Sequence, residues 1–187
     1  MMKSVLIAIR PQWAEKIAKG IKTIEVRKTA PQEVPFKCYI YETKGQYVKF
    51  THGAHTKYGY GRGKVIGAFI CDRIEMVNAK CSNYGIDLFY HDCLTNGCLT
   101  EREIEKYFNV PEDRDLRAMK GNGYVWNISD LKIYDKPKEL SEFRKHCKMT
   151  LPMCDRCEYY SIWRGRCENI TRPPQSWCYV EDLGEEK

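Results

Sequence analysis

The sequence predicts an α+β fold, a small mixed β-barrel of about five strands with short flanking helices. Three observations predict it. Five runs, at 4–9, 23–28, 36–42, 64–77 and 124–134, are rich in β-branched and aromatic residues. Only two short stretches repeat apolar residues at helical spacing. No strand–helix–strand alternation of the kind that builds a doubly wound sheet runs along the chain.

The elements follow in order. Ser-Val-Leu-Ile-Ala-Ile at 4–9 reads as a buried strand. Pro11 suits a first helical residue, and Trp13, Ala14, Ile17, Ala18 and Ile21 recur at helical spacing, so 11–19 is one amphipathic helix with Trp13 on its apolar stripe. Gly20 is placed to end it. Residues 23–28 return to period two, with Ile24 and Val26 on one side and Thr23, Glu25 and Arg27 on the other. A strand at 36–42 follows, with Cys38 in its core pattern. Residues 44–63 hold five glycines among Tyr, His and Lys and read as a long mobile hairpin loop. Gly63-Lys64 is followed by Val, not Ser or Thr, so this is no phosphate loop. Residues 64–77 form one long strand that buries Cys71. Thr100-x-x-Glu103 is a capping box that opens a helix bearing Ile104, Tyr107 and Phe108. A polar loop at 109–122 leads to a last strand at 124–134, which Pro137 ends.

The 187 residues are 43% hydrophobic and 30% charged, enough for a real core. No stretch reaches the roughly 20 apolar residues that cross a bilayer. The apolar start meets Arg10-Pro11 at once and lacks a signal-peptide cleavage site, which places the protein in the cytoplasm. The net charge of +6 is concentrated early: Lys3, Arg10, Lys16, Lys19, Lys22, Arg27 and Lys28 face only Glu15 and Glu25 within the first 30 residues. That bias suits an acidic partner, phosphate above all, although a solvated helix face accounts for Lys16 and Lys19. Ten cysteines in a reducing compartment call for metal binding, catalysis or burial rather than disulfides.

The densest cluster of reactive residues is Arg10-Pro-x-Trp13 with Gly20-x-Lys22-x-x-Glu25-x-Arg27. Glu25 and Arg27 share a strand face about 6.6 Å apart along the chain. Two readings stay open. One is a structural ion pair beside a helix. The other is a polar pocket in which Lys22 and Arg27 hold a phosphate or oxyanion and Glu25 accepts from a base N–H or acts as a general base. Tyr124, Trp126 and Ser129 are candidates to line the same cleft, with a base stacked on an aromatic.

Ile9-Arg-Pro-x-Trp13 followed by Ile17-x-x-Gly20-x-Lys22-Thr-x-Glu25-x-Arg27 resembles the hallmark of the ASCH domain, of the PUA-like superfamily. Tyr124-x-Trp126-x-Ile128-Ser129-x-Leu131 and Pro173-Pro-Gln-Ser-Trp-Cys178 resemble segments of a bacterial and phage group of such proteins with a Cys-rich C-terminal tail. The resemblance implies a PUA-like barrel over residues 1–140, with the tail at 141–187. It implies an RNA- or nucleotide-binding module with a cleft beside the first helix. It also brings alternatives. Some relatives remove the acetyl group of N4-acetylcytidine with a Lys, a Thr and a Glu, and others are linked to RNA cleavage. Lys22 matches the catalytic Lys, but Glu25 stands where those enzymes carry Thr, which removes the hydroxyl nucleophile. Lys22 and Glu25 would then be the acid–base pair of any hydrolase, with Glu75 a weaker carboxylate candidate. A phage-related protein-interaction module is the remaining alternative.

The tail reads Cys154-x2-Cys157-x9-Cys167-x10-Cys178. Four thiolates suffice for a tetrahedral Zn(II) site that would staple it, with His146 and Cys147 in reserve; buried, unligated cysteines are the other reading. Expected partners are RNA or a nucleotide and no membrane, with a protein partner conceivable through the tail.

Overall fold

The computed structural model describes residues 3–52, 55–110, 118–145 and 169–184. In chain order the elements are β1 (Lys3–Ile9), α1 (Pro11–Ala18), β2 (Ile24–Arg27), β3 (Phe36–Glu42), β4 (Gly45–His52), β5 (His55–Gly61), β6 (Lys64–Cys71), β7 (Ile74–Asn78), α2 (Asn83–Thr95), α3 (Glu101–Phe108), β8 (Asn122–Asn127), β9 (Ser129–Lys138), a 3-10 turn at Leu140–Glu142, and β10 (Trp177–Val180). The mixed α+β class is as expected. The strands lie in three sheets: a five-stranded one in the order β10-β1-β3-β6-β9, a three-stranded one in the order β2-β8-β7, and the β4–β5 ribbon.

The chain divides into two compact units. One comprises residues 1–14, 36–69 and 132–187; the other comprises 15–35 and 70–131. In the first, β1 pairs parallel with β3 over its whole length and antiparallel with β10, Leu6 lying opposite Cys178. Leu6, Tyr39, Val65, Phe143, Ile170 and Val180 build its core, and Tyr39 meets Phe143 edge to face at 4.9 Å. A stretch near the end of the chain thus completes this core. The Tyr39 hydroxyl donates to Asp182 and accepts from the Leu183 N–H at 3.0 Å, and Lys37 Nζ donates to Asp182 at 3.0 Å. Burial pushes the Asp182 carboxyl up, but those two donors and the Lys37 charge outweigh it and hold the group below its ordinary range.

In the second unit, Ile24, Val26, Val77 and Val125 form one sheet face, and Ile86, Phe89 and Cys93 of α2 and Ile104 and Phe108 of α3 complete the core against it. α3 opens on the expected capping box: Glu103 N–H donates to Thr100 Oγ1 at 3.3 Å, and Thr100 N–H donates to Glu103 Oε2 at 2.9 Å.

Several expectations change. The stretch expected as a loop at 44–63 pairs as β4 and β5, antiparallel from Gly45 opposite Gly61 to His52 opposite His55, with one register shift between Val48 and Phe50. The strand expected at 64–77 is two strands, β6 and β7, in different sheets, broken at the exposed Asp72-Arg73. The strand expected at 124–134 is likewise β8 and β9, and β9 runs through Pro137 to Lys138. The two breaks are tied together. Asn127 N–H donates to the Arg73 carbonyl at 3.0 Å, its side chain donates to Asp72 at 2.8 Å, and Ser129 Oγ donates to the Ile70 carbonyl at 2.9 Å. Helix α2 was not expected, and Trp13 is half-buried rather than a core residue. Cys38 and Cys71 are fully buried, as expected.

Candidate functional site

The candidate cluster begins at the end of α1. Gly20 has φ of +70°, which a glycine adopts without a Cβ penalty. Its N–H donates to the Ile17 carbonyl at 2.8 Å, and Ile21 N–H reaches back to the Lys16 carbonyl at 2.9 Å. This double-bonded helix end reverses the chain, leaving Ile21 exposed and turning Lys22 inward.

Lys22 meets the C-terminal end of α2. Its ammonium donates to the Gly97 carbonyl at 2.8 Å. Gly97 and Asn96 N–H both donate back to the Asp92 carbonyl, and the Asn96 carbonyl accepts from Thr23 N–H at 3.0 Å. Lys16 Nζ also approaches the Cys98 carbonyl, at 3.5 Å. Both carbonyls lie just past the end of α2, and the end of a helix is its negative pole, so the two lysines sit close to where the helix favours cations.

The same ammonium lies 3.4 Å from Glu25 Oε2, while Arg27 Nη2 lies 3.0 Å from Glu25 Oε1. Each carboxylate oxygen therefore faces one cation. The side chains are only 2%, 9% and 11% exposed for Lys22, Glu25 and Arg27. Two cations and one anion at this depth carry a net positive charge out of water, where electrostatic interactions are least screened.

The surroundings register that charge. Burial pushes the Cys93 thiol up to about 12, against the downward pull of the nearby Lys22. Burial also raises the Tyr107 phenol, with Arg27 drawing it down and Glu25 pushing it further up. Lys28 Nζ stands 5.1 Å from the Tyr107 ring centre.

Antiparallel pairing brings three more expected residues into view. Trp126 lies opposite Glu25, and Tyr124 lies opposite Arg27. Directly paired residues share a face, so Glu25, Arg27, Tyr124 and Trp126 line one face of β2-β8-β7, with Met76 opposite Tyr124 on its other flank. Trp126 is fully buried, so its ring packs rather than waits for a base. Tyr124 is half-buried, and its hydroxyl accepts from the Asn122 amide at 3.1 Å. Ser129 spends its hydroxyl on the Ile70 carbonyl, a strand-joining role. Arg10 is exposed and belongs to the other compact unit. Glu75 pairs with Val125, hence on the sheet face opposite Glu25, and is exposed beside Arg73 at 3.2 Å.

Of the expected thiolate ligands, Cys154, Cys157 and Cys167 lie outside the described residues, as do His146 and Cys147. Cys178 is half-buried on β10 beside the core of its unit, and burial raises its thiol against the pull of Lys145. Among the described residues no three His, Cys, Asp or Glu side chains gather as a metal site, and no helix is long and apolar enough to cross a membrane.

Sequence reasoning missed Gly97 and the end of α2, the partners that hold Lys22. A signal existed in Ser82, which accepts from Gly85 N–H at 3.2 Å as the N-cap of α2.

No protein-family model matches the chain, and no curated protein matches it closely. Solved structures do. The ASCH protein of Zymomonas mobilis aligns with a TM-score of 0.54 at 17% identity, covering 96% of this chain and 88% of that one. Its tyrosine-to-phenylalanine and serine-to-alanine variants align with the same score and identity, covering 91% and 89% of their chains. At this identity the likeness establishes the fold: the chain has the ASCH fold.

Proposed function

We propose that this ASCH-fold protein is an RNA- or nucleotide-binding module whose ligand is read at Glu25 and Arg27. The observation that carries the reading is the buried trio, in which one carboxylate is held between two cations at 3.0 and 3.4 Å. Such a trio is preorganised. Arg27 offers a planar fork suited to a phosphate or an oxyanion, and Glu25 is an acceptor for a base N–H. Lys22 acts by position: its ammonium, tied to the Gly97 carbonyl, orients Glu25. The exposed Met76 and half-buried Tyr124 flank the same face and offer an apolar wall to a base.

The same geometry favours binding over hydrolysis. An acid–base role for Lys22 asks for an ammonium that can exchange its proton with a substrate, and this one donates to a carbonyl and faces a carboxylate.

Calorimetric titration with nucleoside monophosphates and with short RNA tests the proposal. Arg27→Lys keeps the charge and loses the fork, so it costs the fold less than removing the charge would. We expect affinity to fall at least about tenfold in that variant, measured where thermal unfolding shows the protein still folded. Equal affinity in both proteins would sink the reading, and so would turnover of an acylated nucleoside that survives Arg27→Lys and disappears in Lys22→Ala.

A further inference from the structure

The β4–β5 ribbon carries a second concentration of charge that the buried trio does not use. From Thr43 to Cys71 the chain has no Asp or Glu, yet it holds Lys44, Lys49, Lys57, Arg62 and Lys64. At the ribbon's base Arg62 and Lys64 lie near Glu42 and Glu139, at 3.8 and 2.6 Å. Further out the ribbon itself carries only positive charge.

Its aromatics are arranged, not scattered. Gln46 pairs with Tyr60 and Val48 with Tyr58, so Val48, Tyr58 and Tyr60 share one face. Tyr60 is 71% exposed, Val48 55% and Tyr58 49%. A register shift after Val48 moves Phe50 to the other face, opposite Lys57, whose ammonium stands 5.8 Å from the Phe50 ring centre. On that second face the Tyr47 ring covers Gly59: a Cβ there would meet Tyr47 Cζ at 2.5 Å. The Tyr58–Tyr60 face keeps its rings open to solvent.

Two features together define the occupant. A ribbon of cations without a carboxylate selects a polyanion. Adjacent exposed rings on one face select a polyanion with flat apolar groups free to stack. Unpaired nucleotides meet both demands; a duplex hides its base faces, an acidic peptide has few rings, and a lipid surface offers none. A two-stranded ribbon is only about 5 Å wide, so lysine stems from either face reach a backbone lying along it.

We propose that the β4–β5 ribbon is a second binding surface that takes single-stranded nucleic acid, with bases stacked on Tyr58 and Tyr60 and phosphates held by the ribbon lysines. This goes beyond the reading of Glu25 and Arg27 and stands independently of it.

The test is fluorescence anisotropy with labelled single strands of about 10 nucleotides, as RNA and as DNA, against a duplex of equal length and anionic phosphatidylserine vesicles. The full chain is compared with Tyr58→Ala/Tyr60→Ala and with Lys49→Ala/Lys57→Ala. These positions are exposed, and unchanged thermal unfolding certifies each variant. The tyrosine pair is expected to weaken single-strand binding by about tenfold or more. The lysine pair is expected to flatten the salt dependence by about 1.4 in log affinity per log salt. RNA and DNA strands binding alike would mean that the backbone sugar is not read; a preference for one names the natural strand. The proposal is overturned if no single strand binds, if the tyrosine pair leaves affinity unchanged, or if the duplex or the vesicles bind better than the strands. Mononucleotide titration in the same variants separates the two sites: loss of ribbon binding with mononucleotide binding intact leaves the Glu25–Arg27 reading untouched, and the reverse leaves the ribbon standing.

Discussion

Lys22, Glu25 and Arg27 lie buried, with one carboxylate 3.4 Å from the ammonium and 3.0 Å from the guanidinium. The ribbon carries its lysines in water, spaced along a two-stranded edge. Chemically similar side chains do opposite work. A buried cation is fixed by its partners, costs desolvation, and makes the fold depend on each of them. An exposed cation is screened and contributes little to stability. Sensitivity to mutation should therefore track depth, and salt sensitivity should run the other way.

The deepest test has the largest expected effect. Glu25→Gln leaves Lys22 and Arg27 buried without their counter-charge, and chemical denaturation should show a loss of about 3–5 kcal/mol. A loss below about 1 kcal/mol would mean that water reaches the trio, and the contrast between the two regions would collapse. Asp182 lies between the extremes. Its folded pKa is held below the ordinary 3.8, so its stabilisation is complete above that value and drains away as pH falls through the lower folded one. Asp182→Asn should lower stability at neutral pH by less than Glu25→Gln does, and should flatten acid unfolding below about pH 4. An unchanged acid limb would remove Asp182 from the account. Lys57→Ala, at the exposed end, should shift stability by no more than about 0.5 kcal/mol. A larger shift would show that the ribbon charge is structural after all.

The buried region was the more legible in sequence. Period-two alternation at 23–28 separated Ile24 and Val26 from Glu25 and Arg27, and the structure keeps that division. Gly20 was visible as a helix stop. What holds Lys22 was not visible, because its acceptor is a backbone carbonyl 75 residues away and any residue at Gly97 offers the same atom. Helix α2 escaped because its first turn, Asn-Tyr-Gly, reads as a turn, and because exposed Tyr84 and Leu88 blur the spacing of buried Ile86, Phe89 and Cys93. The breaks at Asp72-Arg73 and Ile128 escaped for another reason. Strand-forming residues resume directly after each, and only the order of the strands shows the chain passing from one sheet to another. The ribbon was misjudged because glycines signal loops, and here they sit among residues whose pairing partners lie across the hairpin.

The pairing of β1 with β10 sets an order of events during synthesis. Val5, Leu6 and Ile7 leave the ribosome well over 150 residues before the strand that covers their outer edge, Trp177–Val180. At about 5–20 residues per second that apolar edge stays open for roughly ten seconds or more. Through that interval the nascent chain carries a half-made sheet whose free edge can be claimed by any other strand, so its yield in a cell depends on what shields β1 until its own partner emerges.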